Sequence, residues 1–334
     1  MKNVSVIGAT GYTGGELLRY LLRHPGVRVS HATSERSAGQ KVSVLHTDLA
    51  GRLDLTLVKN DPDKISKDSG LVFLCLPHAE SAAWAKKYLD RGVKVIDLSA
   101  DLRLASVKSY EKWYKTTHPH PELLKKAVYG LPELYRAKIK GAKLVANPGC
   151  YSTTSILTAL PLVKKGWARK GSIVIDAKSG VSGAGRKIES RYLFCEAHEN
   201  FLAYAVTGHR HLPEIEQELG QSVTFVPHLL PVNRGILATV YAKLSKKISA
   251  KELHAAYAEF YKGEAFVKVL DEGKFPELKS VQHTNYCHIG VGLDPKGDTA
   301  VLVGVTDNLG KGAAGQALQN MNLVLGFKEG TGLE

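Results

Sequence analysis

A chain of 334 residues with 44% hydrophobic and 23% charged side chains has the usage of a globular protein of about two domains, which sets aside disordered scaffolds. Its four dispersed cysteines, Cys75, Cys150, Cys195 and Cys287, exclude a disulfide framework or zinc ribbon, and no apolar run reaches the ~18 residues of a membrane span. The net charge of +13 suits an anionic partner, whether nucleic acid, phosphorylated substrate, phosphate-rich cofactor or acidic protein, although scattered pairs such as Lys86-Lys87 and Lys164-Lys165 read first as solvated surface.

Val4-Ser5-Val6-Ile7 predicts a buried strand, and the glycines after it arrive before any signal-peptide core could form. The expectation is a protein of a reducing, cytoplasmic compartment. Glu16 to Arg23 carries leucines at helical spacing, and Pro25-Gly26 stops that helix. Strands follow at 27–32, 71–76, 93–98 and 143–146. The wholly apolar run at 71–76 fits a strand covered on both faces, and the alternation predicts a parallel, doubly wound α/β sheet. Beyond Cys150 the rhythm changes. Strands predicted at 172–177, 222–226, 236–241, 287–291 and 300–305 have fewer helices between them, which implies an α+β half. Ser249-Ala250-Lys251-Glu252 has the form of a capping box opening a helix to about Tyr261. A last helix, about 313–325, has no strand after it and is expected to pack back on the first domain.

Gly8-Ala9-Thr10-Gly11-Tyr12-Thr13-Gly14 lies between a strand and a helix, where glycines permit close backbone approach and the helix N-terminus offers free N–H groups to a pyrophosphate. Gly8, Thr10, Gly11, Tyr12, Thr13 and Gly14 are therefore candidate cofactor contacts. At the end of the second strand, Ser34 and Arg36 suit a ribose 2′-phosphate, which favours NADP(H); Glu35 is ambiguous. None of the fourteen tyrosines has a lysine four residues later, so the short-chain dehydrogenases are excluded.

Asn147-Pro148-Gly149-Cys150 places Cys150 at a helix start, where the dipole and free N–H groups favour a thiolate nucleophile. The other thiols read as inert core groups. A nucleophilic cysteine needs a proton partner remote in sequence, and Gly208-His209-Arg210-His211-Leu212-Pro213-Glu214 is the outstanding histidine cluster. His-x-His alone is also metal-ligand spacing, but no further ligand cluster supports a metal, and none is expected. His24, His118, His120 and His254 read as surface residues.

These motifs occur together with Thr33-Ser34-Glu35-Arg36, Leu76-Pro77-His78, Asp97-Leu98-Ser99-Ala100-Asp101-Leu102-Arg103, Tyr129-Gly130-Leu131-Pro132-Glu133, Ser179-Gly180-Val181-Ser182-Gly183 and Asp307-Asn308-Leu309-x-Lys311-Gly312. Jointly, and over nearly the whole chain, they resemble the N-acetyl-gamma-glutamyl-phosphate reductases of arginine biosynthesis, with Leu102 where an aromatic residue is expected. The resemblance implies a Rossmann-like NADP-binding domain at 1–149 plus a C-terminal helix at 312–334. It also implies a catalytic and oligomerisation domain, α+β on a mixed sheet, at 150–311, and a homo-oligomer (dimer or tetramer). Carried over by motif, Cys150 is the nucleophile and His211 the acid/base, with His209 in reserve. Arg103, Arg186, Arg210 and His209 are candidates for the substrate's charged groups; Pro77, Ser179, Gly180, Ser182 and Asn308 are candidates for the cofactor. The chemistry implied is attack on an acyl phosphate, a thioester, hydride delivery from NADPH and a histidine that protonates the oxyanion as it collapses to aldehyde. Two rivals stand beside it: a reductase of a carrier-bound aminoadipyl phosphate in lysine biosynthesis, which an acidic carrier protein would serve, and, more remotely, a nucleic-acid-binding protein. Neither nucleic acid nor membrane is an expected partner of the main reading.

Overall fold

The computed structural model describes residues 1–186 and 188–334, which form two compact units, Met1–Pro148 with Ala313–Glu334, and Gly149–Gly312. The first unit is a parallel sheet of β1 (Lys2–Ile7), β2 (Val27–Ala32), β3 (Leu71–Leu74), β4 (Lys94–Asp97), β5 (Val128–Tyr129) and β6 (Leu144–Ala146), in the order β2-β1-β3-β4-β6-β5. All four residues of β3 are buried, as a near-continuous apolar strand at the centre of a covered sheet should be. The chain runs outward from β1 to β2 and then returns to place β3 on the other side of β1. That reversal is the point at which doubly wound sheets open a crevice at their carboxyl ends.

The Tyr12–Arg23 helix follows β1 and buries Leu17, Leu18 and Leu21. The Gly315–Leu325 helix also belongs to this unit, packing against the Tyr12–Arg23 and Pro132–Ile139 helices. Its Gln316, Gln319, Asn320 and Asn322 are all buried. Buried amides need partners, and the NH2 group of each has one. Gln316 and Asn320 donate to the Gly130 carbonyl, each at 2.8 Å, and Asn322 donates to the Glu329 and Thr331 carbonyls at 2.9 Å. Asn322 Oδ1 meets His24 Nε2 at 3.0 Å. His24 and His118 are thus corrected from surface to buried: His118 donates Nε2–H to the Asp101 carbonyl at 2.9 Å and accepts the His120 N–H at 3.1 Å.

The second unit is a mixed sheet of β7 (Val174–Gly180), β8 (Leu202–Ala203), β9 (Thr224–Leu230), β10 (Ile236–Lys243), β11 (Val267–Val269), β12 (Cys287–Leu293) and β13 (Thr299–Thr306), in the order β11-β12-β13-β10-β7-β9-β8. The β7/β9 and β11/β12 pairs are parallel and the rest antiparallel. One face carries the Cys150–Lys164 helix, buried from Tyr151 to Leu162, and a helix buried nearly all round is a core element. The Ala250–Phe260 helix begins at the Ser249/Glu252 capping box, and Tyr257 anchors it by a 2.9 Å bond to the Thr158 carbonyl. The opposite sheet face is half open. Along β10, Ile236, Ala238, Val240 and Ala242 point inward, while Tyr241 on the other face is 40% exposed and Val174 of β7 is 37% exposed.

Candidate active site

In the first unit the Gly8–Gly14 turn joins the carboxyl end of β1 to an uncapped helix. Gly8 has φ +83°, and a Cβ there would lie 2.5 Å from the Cys75 carbonyl, just beyond β3; a Cβ on Gly14 would lie 2.8 Å from Ala9 Cα. These two glycines are required by backbone-to-backbone contact. Gly11 differs, because a Cβ there would meet nothing within 4 Å. It is the N-cap of the Tyr12–Arg23 helix and makes no side-chain cap bond, so the first-turn N–H groups border open space. That arrangement fits a dinucleotide's phosphates. At the end of β2, Ser34 is buried and its hydroxyl accepts the Ser37 N–H at 3.2 Å, while Arg36 is exposed. Glu35, the ambiguous member, is exposed and accepts the Asn60 N–H at 3.0 Å. Pro77 is exposed on the segment after β3. Arg103 is buried, with Nε on the Asn147 carbonyl at 2.7 Å and Nη2 on the Leu98 carbonyl at 2.8 Å. Those bonds brace the backbone leading to Pro148.

In the second unit Gly149 is the N-cap of the Cys150–Lys164 helix, again without a side-chain cap. Cys150 is therefore the first helical residue, at the positive end of the dipole. Cys150 is half-buried, with packed neighbours on both sides. A Cβ on Gly149 would run into His211 Nε2, and a Cβ on Gly312 would lie 3.0 Å from Cys150 Cβ. Gly312 reaches that position on the π-helical turn Gly310–Ala314. Glu214 is 1% exposed, and its carboxylate accepts the Gly149 N–H at 2.9 Å. His211 is itself the N-cap of the Leu212–Leu219 helix, so Glu214 ties the start of one helix to the start of the other.

The two imidazoles of the cluster are not equivalent. His209 Nδ1 accepts the His211 backbone N–H at 3.1 Å, which puts its own proton on Nε2, 3.5 Å from the Tyr204 hydroxyl. Burial, reinforced by neighbouring Arg210, pushes the His209 pKa down to about 4, so it is neutral at physiological pH. Tyr151 packs edge-on to both rings, with centroids 5.5 Å from His209 and 6.1 Å from His211. Its hydroxyl donates to the His228 carbonyl at 2.8 Å, and burial raises the phenol well above its usual range. Arg186 and Arg210 are exposed.

Ser179 is buried and donates to the Gly180 carbonyl at 3.1 Å, and Gly180 lies against the Asn233 and Arg234 backbone. Ser182 donates to the Asn233 carbonyl at 2.6 Å and accepts from Asn308 Nδ2 at 2.9 Å, while Asn308 Oδ1 takes the Gly235 N–H at 2.7 Å. Asn308 and Ser182 thus hold their own loops together. Beneath them Asp307 is buried against Arg234, 3.0 Å away, and accepts the Leu309 and Gly310 N–H groups. Sequence reasoning missed Gly312 and the Glu214–Gly149 bond, although both residues lie in motifs it quoted. Tyr204 carried no signal. Of the remaining thiols, burial pushes Cys75 up to about 12 and Cys287 is buried, whereas Cys195 is exposed and corrects the core expectation. Among the described residues no group of three or more His, Cys, Asp or Glu side chains is placed to hold a metal, and no helix is long and apolar enough to cross a membrane.

Residues 3–142 match the family model for the semialdehyde dehydrogenase NAD binding domain, and residues 150–308 that for the semialdehyde dehydrogenase dimerisation domain. Among solved structures, aspartate semialdehyde dehydrogenase II of Vibrio cholerae complexed with ASA shares the fold at TM-score 0.74 and 19% identity, over 97% of this chain and 98% of that one. A probable aspartate-semialdehyde dehydrogenase from Pseudomonas aeruginosa does so at 0.74 and 22%, with the same coverage. N-acetyl-gamma-glutamyl-phosphate reductases are far nearer in sequence. That of Geobacter metallireducens is 49% identical and that of Acetivibrio thermocellus 47%, each across 100% of this chain and 98% of the relative. The lysine-biosynthesis and nucleic-acid readings find no support among these relatives. With identity of this order over the whole length, the chain belongs to the N-acetyl-gamma-glutamyl-phosphate reductase family.

Proposed function

We propose that this chain performs the reaction for which its family is named: NADPH-dependent reduction of N-acetyl-gamma-glutamyl phosphate to N-acetylglutamate 5-semialdehyde and phosphate, as a step of arginine biosynthesis. The observation that carries the residue roles is the packing of His211 Nε2 against Gly149, directly before a cysteine at an uncapped helix start. In this reading His211 takes the Cys150 thiol proton, and the thiolate attacks the acyl carbon. The C–O bond to phosphate breaks, phosphate takes up a proton from solvent, and a thioester on Cys150 remains. Bound NADPH supplies the hydride that reduces the acyl carbon. The His211 imidazolium then stabilises the oxyanion of the Cys150-bound group while the C–S bond breaks, releasing aldehyde and restoring the thiolate.

The thioester's gain is positional, because the acyl phosphate is already activated and the covalent bond fixes the carbon. His209, neutral and bonded to the His211 backbone, supports the acid/base rather than replacing it. Arg186 and Arg210, exposed cations, are the candidates for the substrate's carboxylate and phosphate. Gly8 to Gly14 hold the cofactor's diphosphate, Ser34 and Arg36 its 2′-phosphate, and Pro77 lines its site; in the second unit Ser179, Gly180, Ser182 and Asn308 are the candidates for cofactor contact. The half-open face of the mixed sheet, with Tyr241 and Val174 exposed, supports a homo-oligomer, dimer or tetramer, formed through the unit that matches the dimerisation-domain model. Four free cysteines suit a reducing cytoplasm.

The decisive assay runs the reaction backward, with N-acetylglutamate 5-semialdehyde, phosphate and NADP, and follows NADPH absorbance. Phosphate-dependent NADPH formation is expected. Absence of turnover, or turnover independent of phosphate, would overturn the reading.

A further inference from the structure

The segment Pro77-His78-Ala79-Glu80, between β3 and the Ser81–Leu89 helix, is exposed throughout, yet a buried carboxylate holds it. Ala79 has φ +70°, a left-handed conformation that a residue with a Cβ disfavours and that persists only where surrounding structure enforces it. Asp101 does the enforcing. Its Oδ1 accepts the Ala79 N–H at 2.7 Å and its Oδ2 the Ala82 N–H at 3.1 Å. The side chain is 0% exposed and also accepts the Tyr110 hydroxyl at 3.2 Å. A second stitch runs the other way, from the Ala100 N–H to His78 Nδ1 at 3.1 Å.

Capping the Ser81–Leu89 helix would need only the Ala82 bond. The Ala79 bond lies outside that helix and acts on the loop. Asp97, equally buried, adds to the cost of the arrangement: its carboxylate accepts the Ser81 hydroxyl at 2.6 Å and the Ser99 hydroxyl at 2.8 Å. Burial and the nearby Asp101 charge push Asp97 up to about 6. Two desolvated carboxylates in one turn are costly, and the one that reaches the loop, Asp101, holds the shape of four exposed residues beyond the carboxyl end of β3.

We infer that Asp101 is a positioning residue for cofactor binding, which fixes the left-handed Ala79 and thereby sets the Pro77 segment as a preformed wall of the NADPH site. The inference rests on the proposal that the Pro77 segment contacts the cofactor. Asn at position 101 offers one acceptor oxygen where two N–H groups need two.

Asp101→Asn is therefore expected to raise KM for NADPH roughly tenfold, with kcat and KM for the acyl phosphate within about twofold. Adding Ala79→Gly, which takes φ +70° without penalty, is expected to restore most of the lost NADPH affinity; a role confined to fold stability would not be rescued this way. Pro77→Glu, which sets a carboxylate on the segment, tests the underlying proposal separately. If Pro77→Glu raises KM for NADPH while folded Asp101→Asn leaves it unchanged, the positioning role is overturned and the cofactor assignment survives. If neither moves it, both fall. Should Asp101→Asn fail to fold, Tyr110→Phe removes only the third bond to the carboxylate and is expected to raise KM for NADPH two- to threefold; no change overturns the inference.

Discussion

Two turns of this chain use the same device and leave opposite things around it. Each delivers a glycine N-cap that has no side chain of its own to cap the helix it starts. At Gly11 the space beside the N-cap is empty to 4 Å. At Gly149 it is filled by His211, and at Gly312 by Cys150 itself. An uncapped helix start is therefore not yet a function. In the proposed reading the open one receives the cofactor's phosphates, and the one packed with an imidazole and a carboxylate holds Cys150 still for covalent chemistry.

The sharpest way to break this comparison is at the thiol. Cys150→Ser should cut turnover to under about one per cent while leaving NADPH binding, read by fluorescence titration, unchanged. Substantial residual turnover would remove covalent chemistry from the filled turn. Next is His211→Asn, expected to lower kcat ~10²–10⁴-fold, the usual range for general acid–base help, with His209→Asn costing less. A larger loss at His209 would exchange the two roles. Gly149→Ala and Gly11→Ala then set the turns side by side. The first pushes His211 off the helix start and should lower kcat about 10²-fold, as displacements of about 1 Å do. The second meets no protein atom, so the melting temperature should hold while KM for NADPH rises roughly tenfold, a change of about 1.4 kcal/mol. Equal effects on kcat would erase the distinction.

Smaller effects refine the open turn and the filled one in different ways. Arg36→Ala should weaken NADPH roughly tenfold more than NADH, as loss of one charge-assisted contact to a 2′-phosphate would; equal losses would show that Arg36 does not read the phosphate. His209 gives the smallest signal, in stability. Between its ordinary 6.5 and about 4 the unfolded chain binds a proton that the folded protein refuses. Stability therefore falls as pH falls through that window. His209→Asn should flatten that part of the denaturation profile, and an unchanged slope would place the acid sensitivity elsewhere.

What could be read from the sequence was what is local. β1, its glycine turn and the following helix announce themselves within about twenty residues by apolar periodicity and glycine spacing, and Asn147-Pro148-Gly149 marks the helix start at Cys150. β5 and β11, of two and three residues, are edge strands made by pairing with a neighbour, and no pattern of that length can signal them. The sequence reading prefers His211 over His209 as acid/base, but what distinguishes the two rings, His209 Nδ1 accepting the His211 backbone N–H, is a detail of ring nitrogens that residue spacing does not carry. The Glu214–Gly149 bond spans 65 residues and the His24–Asn322 bond 298. Polar residues whose partners lie that far along the chain resemble surface groups until the fold brings the partners in.

The amide-lined helix at 315–325 sets a timetable. Its side chains supply the donors for the Gly130 carbonyl and the partners of His24 and Asn147, so the first unit lacks an integral part of its interior until the chain has been made past residue 313. Translation at about 5–20 residues per second leaves residues 1–148 waiting about 8–33 s for that helix. Meanwhile 149–312, a contiguous stretch, has everything it needs to fold. The half of the protein made first is thus the half finished last, and through that interval a nascent chain exposes an unfinished nucleotide-binding sheet to chaperones and proteases.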